Sequence, residues 1–414
     1  MSVAAGVRRV LFWSHLAVGV ATGLVILVLS ATGVALTYEH QLLEWAALRG
    51  AATAAAAEGP ALPIDTLVAR VEASAPGRQV AGLTVRSEPG APVTLSLKSR
   101  QSLYVDPATG AVIGSDSTAR AAMTQIVRVH RSLATGEGVR DALGASITGA
   151  ANLAFFFLLL TGAYLWWPRR WSPQAFRAVI VPVWRARGKV RDWNWHHAAA
   201  FWTAPALFVV VLSGVFISYR WPTAALEAAT GGAEARPEGR ADGGRAEGGR
   251  TEGGRERRKQ EGAQRAPFGP MLAQATAGVP GWRIAQVRPG REAGAPVTVM
   301  VTTGDALLRP DRRTQFTFDA ASGEPGRRRA YADTPPAQRV RAWMRGLHTG
   351  EALGFWGQTF AGLASLAGVV LVWTGLSLSL RRLRGWLARD ARSAARGTDA
   401  AGPDRERTAD LTAA

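Results

Sequence analysis

The sequence contains no cysteine. Its absence excludes disulfides, iron–sulfur clusters and zinc sites built from thiolates. Any metal must therefore be held by histidine or oxygen ligands, or arrive inside a cofactor. Histidine is also scarce, with six residues in a chain of 414. Few positions can therefore supply imidazole ligands.

Apolar residues are abundant, at 47% of the chain. Four apolar stretches are long enough to cross a bilayer, which takes about 20 residues. They are residues 10–38, 143–167, 196–219 and 353–380. The first is too long for a cleaved signal peptide, and no convincing cleavage site follows it. The sequence predicts a membrane protein with four transmembrane α-helices in contact with lipid.

Acidic residues are too few to balance the basic ones, and the formal net charge is +18. A basic chain can bind nucleic acid, but here the arginines mark membrane orientation. The loop 168–195 has seven basic residues against Asp192 alone. By the positive-inside rule, this loop and both termini are cytoplasmic. We predict a multi-pass membrane protein with both termini in the cytoplasm and no nucleic-acid partner.

The two halves of the chain repeat each other. His15 precedes Gly33 by 18 residues, and His196 precedes Gly214 by the same number, whereas His197 misses this register by one. The outer segments also match, because "APVTLSL" and "SLYVDPATGAVIG" correspond to "APVTVMV" and "QFTFDAASGEPG". Each predicts strands joined by an Asp-x-x-x-Gly turn, after a short amphipathic helix. The sequence predicts two small α+β modules outside the membrane.

These patterns predict eight regions along the chain. They are the cytoplasmic N-terminus with the first transmembrane helix (1–40), an outer module (41–129), an outer-face histidine segment with the second helix (130–168), a basic cytoplasmic loop (169–192), the third helix (193–221), an outer segment with the second module (222–347), the fourth helix (348–381) and a cytoplasmic tail (382–414). Within the second outer segment, residues 226–265 are rich in Gly, Arg and Glu and predict a disordered linker.

Four histidines form two pairs by predicted depth. Because successive spans run in opposite directions, His15 and His196 lie near the inner face, and His130 and His348 near the outer face. Two facing histidines can ligate a haem iron, and ionisable groups in a membrane are usually functional. Hydrogen bonding between helices is the alternative. The remaining histidines fit neither pair, and we predict that His40 is an interfacial residue and His197 a headgroup contact.

Small residues accompany the first pair. Positions four and eight residues after its histidines share their helical face. They are Gly19, Gly23, Ala200 and Ala204. These small residues predict a flat surface on which a haem can lie, and a helix-packing face is the alternative.

A Ser/Thr-Gly pair lies near the far end of each span. Eighteen residues make five turns and rise roughly 27 Å, which is close to the hydrocarbon thickness. The glycines would flank the outer haem (Gly33 and Gly214) or the inner haem (Gly162 and Gly375). The hydroxyls would cap backbone groups or a propionate: Thr32, Ser213, Thr161 and Thr374.

The four spans resemble the helix signatures of the PepSY-associated transmembrane family, which includes bacterial iron-regulated membrane proteins and inner-membrane siderophore reductases. The resemblance rests on "SHLAVGVATGLVILVLSATGVAL", "HRSLATGEG", "WHHAAAFWTAPALFVVVLSG" and "LHTGEALG". It covers all four spans and, more loosely, both outer modules, which look like PepSY units. The family often has His-Arg where this chain has His196-His197, and four extra residues follow His130.

The resemblance implies two b-type haems, held by the four paired histidines as axial ligands of the iron. They would carry electrons across the membrane to a ferric siderophore in the periplasm, as in a reductase. No Gly-x-Gly-x-x-Gly loop follows a strand, so the electrons must come from an external donor, quinol or a cytoplasmic reductase. Two alternatives stay open: a non-catalytic PepSY-type protein that binds or senses a partner, and a dihaem conduit to another acceptor.

Overall fold

The computed structural model describes residues 3–48, 59–75, 78–99, 101–167, 172–230, 266–290, 294–304 and 309–399. The chain separates into two compact units. The first unit comprises Met1–Ala31, Ala150–Phe208 and Leu363–Ala414, and the second comprises Thr32–Gly149 and Val209–Gly362.

The described residues form eleven helices of more than one turn and eight strands. The helices are α1 (Val3–Leu36), α2 (Glu39–Leu48), α3 (Ile64–Ala73), α4 (Ser117–Ser132), α5 (Val139–Trp166), α6 (Pro173–Ile180), α7 (Gly188–Ser218), α8 (Trp221–Ala229), α9 (Phe268–Ala277), α10 (Pro336–Thr349) and α11 (Gly354–Asp399). The strands are β1 (Val80–Arg86), β2 (Val93–Leu97), β3 (Ser102–Val105), β4 (Val112–Ser115), β5 (Ile284–Arg288), β6 (Val297–Thr302), β7 (Arg313–Phe318) and β8 (Pro325–Ala330).

Four of these helices, α1, α5, α7 and α11, are long and apolar enough to cross a membrane. They confirm the four predicted spans, and the chain is a multi-pass membrane protein. His15 and His196 lie well inside α1 and α7, which begin at Val3 and Gly188. Helix formation continues through the polar residues that precede each apolar run.

The other two paired histidines lie on separate helices that precede the spans. His130 is in the last turn of α4, which ends where Leu133 adopts a left-handed conformation with φ 53°. His348 is in the last turn of α10, which ends at Gly350 with φ 77°. Glycine is favoured at such a position because it has no Cβ. Both turns reverse the chain into the following span.

The second unit contains one antiparallel sheet in the order β4-β3-β2-β1-β5-β6-β7-β8. Both predicted α+β modules are present, and each contributes one helix and four strands. The modules join where β1 pairs with β5, with Thr84 opposite Gln286. The flanking pairs are Leu83 with Val287 and Val85 with Ala285. Equivalent strands of the repeat thus face each other about a local two-fold axis.

The core of the second unit lies between one sheet face and the helices α3 and α9. Alternate residues of each strand point into it, as Val297, Val299 and Val301 do in β6. Full burial of each such side chain contributes about 1.5–3 kcal/mol. The Asp65 carboxylate accepts hydrogen bonds from the backbone N–H groups of Phe268 (2.6 Å) and Gly269 (2.9 Å). This carboxylate therefore ties α3 to the start of α9.

The two Asp-x-x-x-Gly turns form as predicted. Asp106 accepts hydrogen bonds from the two backbone N–H groups of Ala108 and Thr109. Asp319 accepts the equivalent pair from the second module. The predicted linker at 226–265 starts inside α8, which ends at Ala229, and its residues 231–265 lie outside the described residues.

Candidate functional site

His15 is held through one ring nitrogen by a threonine of another helix in the first unit. Its Nδ1 lies 2.8 Å from Oγ1 of Thr161 on α5. The Thr161 side chain is almost fully buried, with 6% of its surface exposed. Its hydroxyl also donates to the backbone carbonyl of Phe157, at 2.9 Å. The position of the imidazole is therefore fixed by a buried hydrogen bond.

His196 repeats this arrangement. Its Nδ1 lies 2.9 Å from Oγ1 of Thr374 on α11, and the Thr374 hydroxyl donates to the carbonyl of Val370 at 2.7 Å. Both histidines of the first predicted pair thus lie in the first unit, and each is anchored through Nδ1 to a threonine of another helix.

The hydrogen bonds assign the same tautomer to both histidines. A threonine hydroxyl has one proton, and at Thr161 and Thr374 that proton is directed to a backbone carbonyl. The hydroxyl oxygen must then accept the hydrogen bond from the imidazole, which places the ring proton on Nδ1. The lone pair is left on Nε2. A neutral imidazole in this tautomer is the form that binds a metal ion.

The glycine after each threonine lies against the same imidazole. A Cβ at Gly162 would lie 3.3 Å from Cε1 of His15, and a Cβ at Gly375 would lie 3.5 Å from Cε1 of His196. Both separations are at or near the lower limit of normal van der Waals contact, so a larger side chain would displace the ring. The Thr-Gly pair therefore anchors the imidazole and also makes room for it.

The second pair lies in the second unit and also meets hydroxyl groups of other helices. The Nδ1 of His130 lies 2.8 Å from Oγ1 of Thr32 on α1. The Nδ1 of His348 donates to the carbonyl of Val210 at 2.8 Å, with Oγ of Ser213 at 3.3 Å. A carbonyl can only accept, so the lone pair of His348 is again on Nε2. Each of the four hydroxyls belongs to a Ser/Thr-Gly pair of the repeat.

The two rings of the second pair come from different helices and lie close together. The ring centroids of His130 and His348 are 6.2 Å apart, and the rings are inclined at 61°. Two imidazoles on opposite sides of one ion, each bound at about 2.0–2.1 Å, place their centroids roughly 6 Å apart. Among the described residues, no group of three or more His, Asp and Glu side chains could hold a metal ion. A pair of histidines fits axial ligation better than an all-protein site.

The small residues predicted to lie beside a haem have apolar neighbours. A Cβ at Gly19 would lie 3.8 Å from Leu158, and one at Gly23 would lie 3.3 Å from Leu376. Ala200 packs beside the buried Leu207, and Ala204 is half-buried on the same helix. These contacts are those of the helix-packing alternative, and a haem contact at these residues stays a prediction. Of the remaining predicted glycines, Gly33 follows Thr32 and is half-buried, and Gly214 follows Ser213 and is buried.

The two unpaired histidines have other partners. His197 directs Nδ1 to the carbonyl of Trp193 at 2.8 Å, and its ring lies 4.2 Å from the tryptophan ring. His40 lies 3.7 Å from the Glu351 carboxylate. The ring of His197 also lies 6.0 Å from the ring of its chain neighbour His196, and neither His40 nor His197 occupies a position of the repeat register.

A buried carboxylate near the first pair was not predicted to have a role. Asp192 precedes His196 by one helical turn and is fully buried. It accepts hydrogen bonds from Ser377 (2.7 Å) and Arg191 (2.8 Å), and Arg381 lies at 3.5 Å. The sequence does mark Asp192, because it is the single acidic residue in a basic loop. This network fixes α7 against α11 beside His196.

Comparison with protein families gives one match. The family model of the PepSY-associated TM region matches residues 12–382, a range that contains all four paired histidines. No curated protein matches the chain significantly.

Proposed function

The chain belongs to the PepSY-associated TM family, and from this premise we propose that it is a dihaem protein that moves electrons across the bacterial inner membrane to ferric siderophores. The observation that carries the proposal is the spacing of His130 and His348, whose ring centroids are 6.2 Å apart. The repeated hydrogen bond at Nδ1 supports it at His15 and His196. By the positive-inside rule, both termini would lie in the cytoplasm and the sheet in the periplasm.

The four paired histidines would hold two b-type haems, one at each pair. When bound, these haems would supply one-electron chemistry, with potentials set by the axial ligands and their hydrogen bonds. The chain's own contribution is the position and the electronic state of each imidazole. A hydrogen bond from Nδ1–H to a fixed oxygen orients the ring and makes Nε2 a better donor to iron.

Burial of the anchoring hydroxyls protects this arrangement from water. Thr161, Ser213 and Thr374 each have 6% or less of their surface exposed. Water cannot readily replace these hydroxyls as the hydrogen-bond partners of Nδ1. The imidazoles therefore stay neutral and aligned in a medium where a charged group would be costly.

The substrate would be iron(III) held by hard oxygen donors of a siderophore outside the membrane. Adding one electron gives iron(II), which such ligands hold less tightly, so reduction releases the metal for uptake. The electron must enter from an external donor, because no nucleotide-binding glycine loop occurs in the sequence. Quinol or a cytoplasmic reductase fits this requirement.

The visible spectrum of the purified protein tests the proposal. Protein expressed with sufficient haem should show a Soret band, and His15→Ala or His196→Ala should each remove about half of the bound haem. His197→Ala is the matched control, because the Nδ1 of this adjacent histidine bonds to the Trp193 carbonyl of its own helix. Absence of a Soret band, or full haem retention in both ligand variants, would refute the proposal.

The alternatives give different results in related measurements. A non-catalytic binding or sensor protein would carry no haem while its sheet modules still bound a partner. A dihaem conduit to another acceptor would carry haem but would not be reoxidised by ferric siderophore. Reduced protein mixed with ferric siderophore, followed through the haem spectrum, separates these cases.

A further inference from the structure

One face of the eight-stranded sheet is polar along its whole width. The face opposite the core carries a cross-strand row that runs from β3 to β8. In order, its members are Tyr104, Thr94, Thr84, Gln286, Met300, Gln315 and Arg329. Only Met300 is apolar, and all seven are at least partly buried. A sheet face that packed against another apolar layer would carry Val and Ile instead. This face is therefore suited to a polar ligand.

Three arginines concentrate positive charge on this face and beside it. Arg313 on β7 and Arg288 on β5 lie on the same face of the sheet as the polar row and flank it from opposite sides, since Arg288 pairs with Thr298 and Arg313 with Thr302 of β6. The Arg288 guanidinium donates to the Gln286 side chain in the row at 3.1 Å. Arg345 lies three residues before His348 on α10 and shares its helical face, and α10 contacts the turn Pro310–Arg312 that leads into Arg313. The cationic cluster, meaning Arg288, Arg313 and Arg345, thus lies next to the second histidine pair.

The cluster lacks compensating charge. Burial lowers the pKa of Arg313, and the neighbouring Arg288 lowers it further, against an opposing effect of Glu351. That carboxylate is already 3.7 Å from His40. Among the described residues, no carboxylate lies within 4 Å of a side-chain nitrogen of the three arginines. The Nε of Arg313 is buried without a hydrogen-bond partner among them.

A buried guanidinium N–H without an acceptor is destabilising unless a ligand supplies one. We propose that the cationic cluster binds the carboxylates of an anionic ferric chelate and holds it beside the His130–His348 pair. The choice of an iron chelate rests on the function proposed above. Guanidinium groups bind carboxylates through two parallel hydrogen bonds, and three of them together favour a ligand with several negative charges.

This assignment makes the protein selective by charge. A carboxylate-type chelate would satisfy the Arg313 donor and neutralise the cluster. An uncharged hydroxamate chelate of the same metal would not neutralise the cluster and would leave the Arg313 donor without an acceptor. Selectivity should therefore depend on the arginines and decrease as salt screens them.

Binding of gallium(III) citrate tests the proposal, because gallium(III) resembles iron(III) in size and charge but is not reduced. The full-length protein in neutral detergent should bind it in calorimetric titration. Arg313→Gln and Arg288→Gln should each weaken binding about tenfold, which corresponds to about 1.4 kcal/mol. Arg288 is exposed, so its variant folds even if Arg313→Gln does not.

Arg328→Gln is the control, since it removes the same charge from the same module. Arg328 lies 5.9 Å from the Phe316 ring, on the other face of β8. This variant should bind gallium(III) citrate like the unmodified protein, and neutral tris(acetohydroxamato)gallium(III) should bind to none of them.

Three results would overturn the proposal. The first is unchanged gallium(III) citrate binding in both arginine variants, and the second is binding of the neutral chelate as tight as that of the citrate. The third is a loss of bound haem in the arginine variants without a loss of citrate binding, which would assign the cluster to haem propionates. The two proposals fail separately. A protein with a Soret band but no citrate binding contradicts only the cluster, and one that binds citrate without a Soret band contradicts only the haem.

Discussion

Replacing Thr161 with valine isolates the role of the anchoring hydroxyl. The two side chains have nearly the same shape, so Thr161→Val removes a hydrogen bond without creating a cavity. The Nδ1–H of His15 then loses its acceptor, which lies 2.8 Å away in the unmodified protein. The proton is no longer confined to Nδ1, and the tautomer with a protonated Nε2 cannot bind iron through Nε2.

The expected size of the effect follows from the buried donor. Leaving a buried hydrogen-bond donor without a partner costs about 1–3 kcal/mol. This range corresponds to the roughly 10–100-fold loss of metal affinity that follows removal of a hydrogen-bond partner of a metal ligand. Haem affinity at the His15–His196 pair should therefore fall about 10–100-fold, while the other pair is unaffected. Thr374→Val should have the same effect through His196.

Titration of haem into haem-depleted protein, followed at the Soret band, measures both sites. Thr22→Val is the matched control, because the Thr22 hydroxyl donates to a backbone carbonyl of α1 at 2.8 Å but meets no histidine. If Thr161→Val and Thr22→Val bind haem equally, the hydroxyl does not position the ligand and the tautomer argument fails.

Two further predictions concern a close contact and a helix junction. Gly162→Leu should displace the His15 ring, since even a Cβ would lie 3.3 Å from Cε1, and should abolish haem binding at that pair in the same titration. Gly385→Leu is the control, because a Cβ there meets open space, and it should leave haem binding unchanged. Equal haem binding by the two variants would contradict the role of Gly162. Asp65→Asn should lower the free energy of unfolding of the sheet unit by about 1–3 kcal/mol, because the carboxylate accepts two backbone hydrogen bonds at the start of α9. Thermal unfolding measures this change, and Asp311→Asn, at an exposed ion pair, is the control. Equal melting temperatures of the two variants would disprove the role of Asp65.

The spans could be predicted because they depend on local periodicity. Apolar length identified the four helices, and the 18-residue interval separated His196 from His197. The hydrogen bonds at Nδ1 depend on how one helix is rotated against another, which no single segment encodes. The hydroxyls of Thr161 and Thr374 were therefore predicted as caps for backbone or propionate, although their position beside the repeated glycines was a usable signal.

The sheet shows the same division between local and long-range information. The turns at Asp106 and Asp319 were predicted, because an Asp side chain caps its own turn. The strands β1 and β5 were not predicted, since β1 contains Gly82 and its partner lies about 200 residues away in sequence. A Cβ at Gly82 would lie 2.8 Å from the Val287 carbonyl. That glycine marks the close approach of the two strands, which only the pairing makes visible.

The symmetric pairing of β1 with β5 also has an evolutionary consequence. Leu83 and Val287 pair with equivalent residues of the repeat, Leu95 and Val299, and face each other across the local axis. An antiparallel contact between equivalent strands is self-complementary, which is the rule for a two-fold homodimer. Two copies of a half-length chain could thus have formed the same eight-stranded sheet before the halves were joined. Fusion then allowed the halves to diverge, so that Gly82 and the second module's additional arginines each appear on one side only.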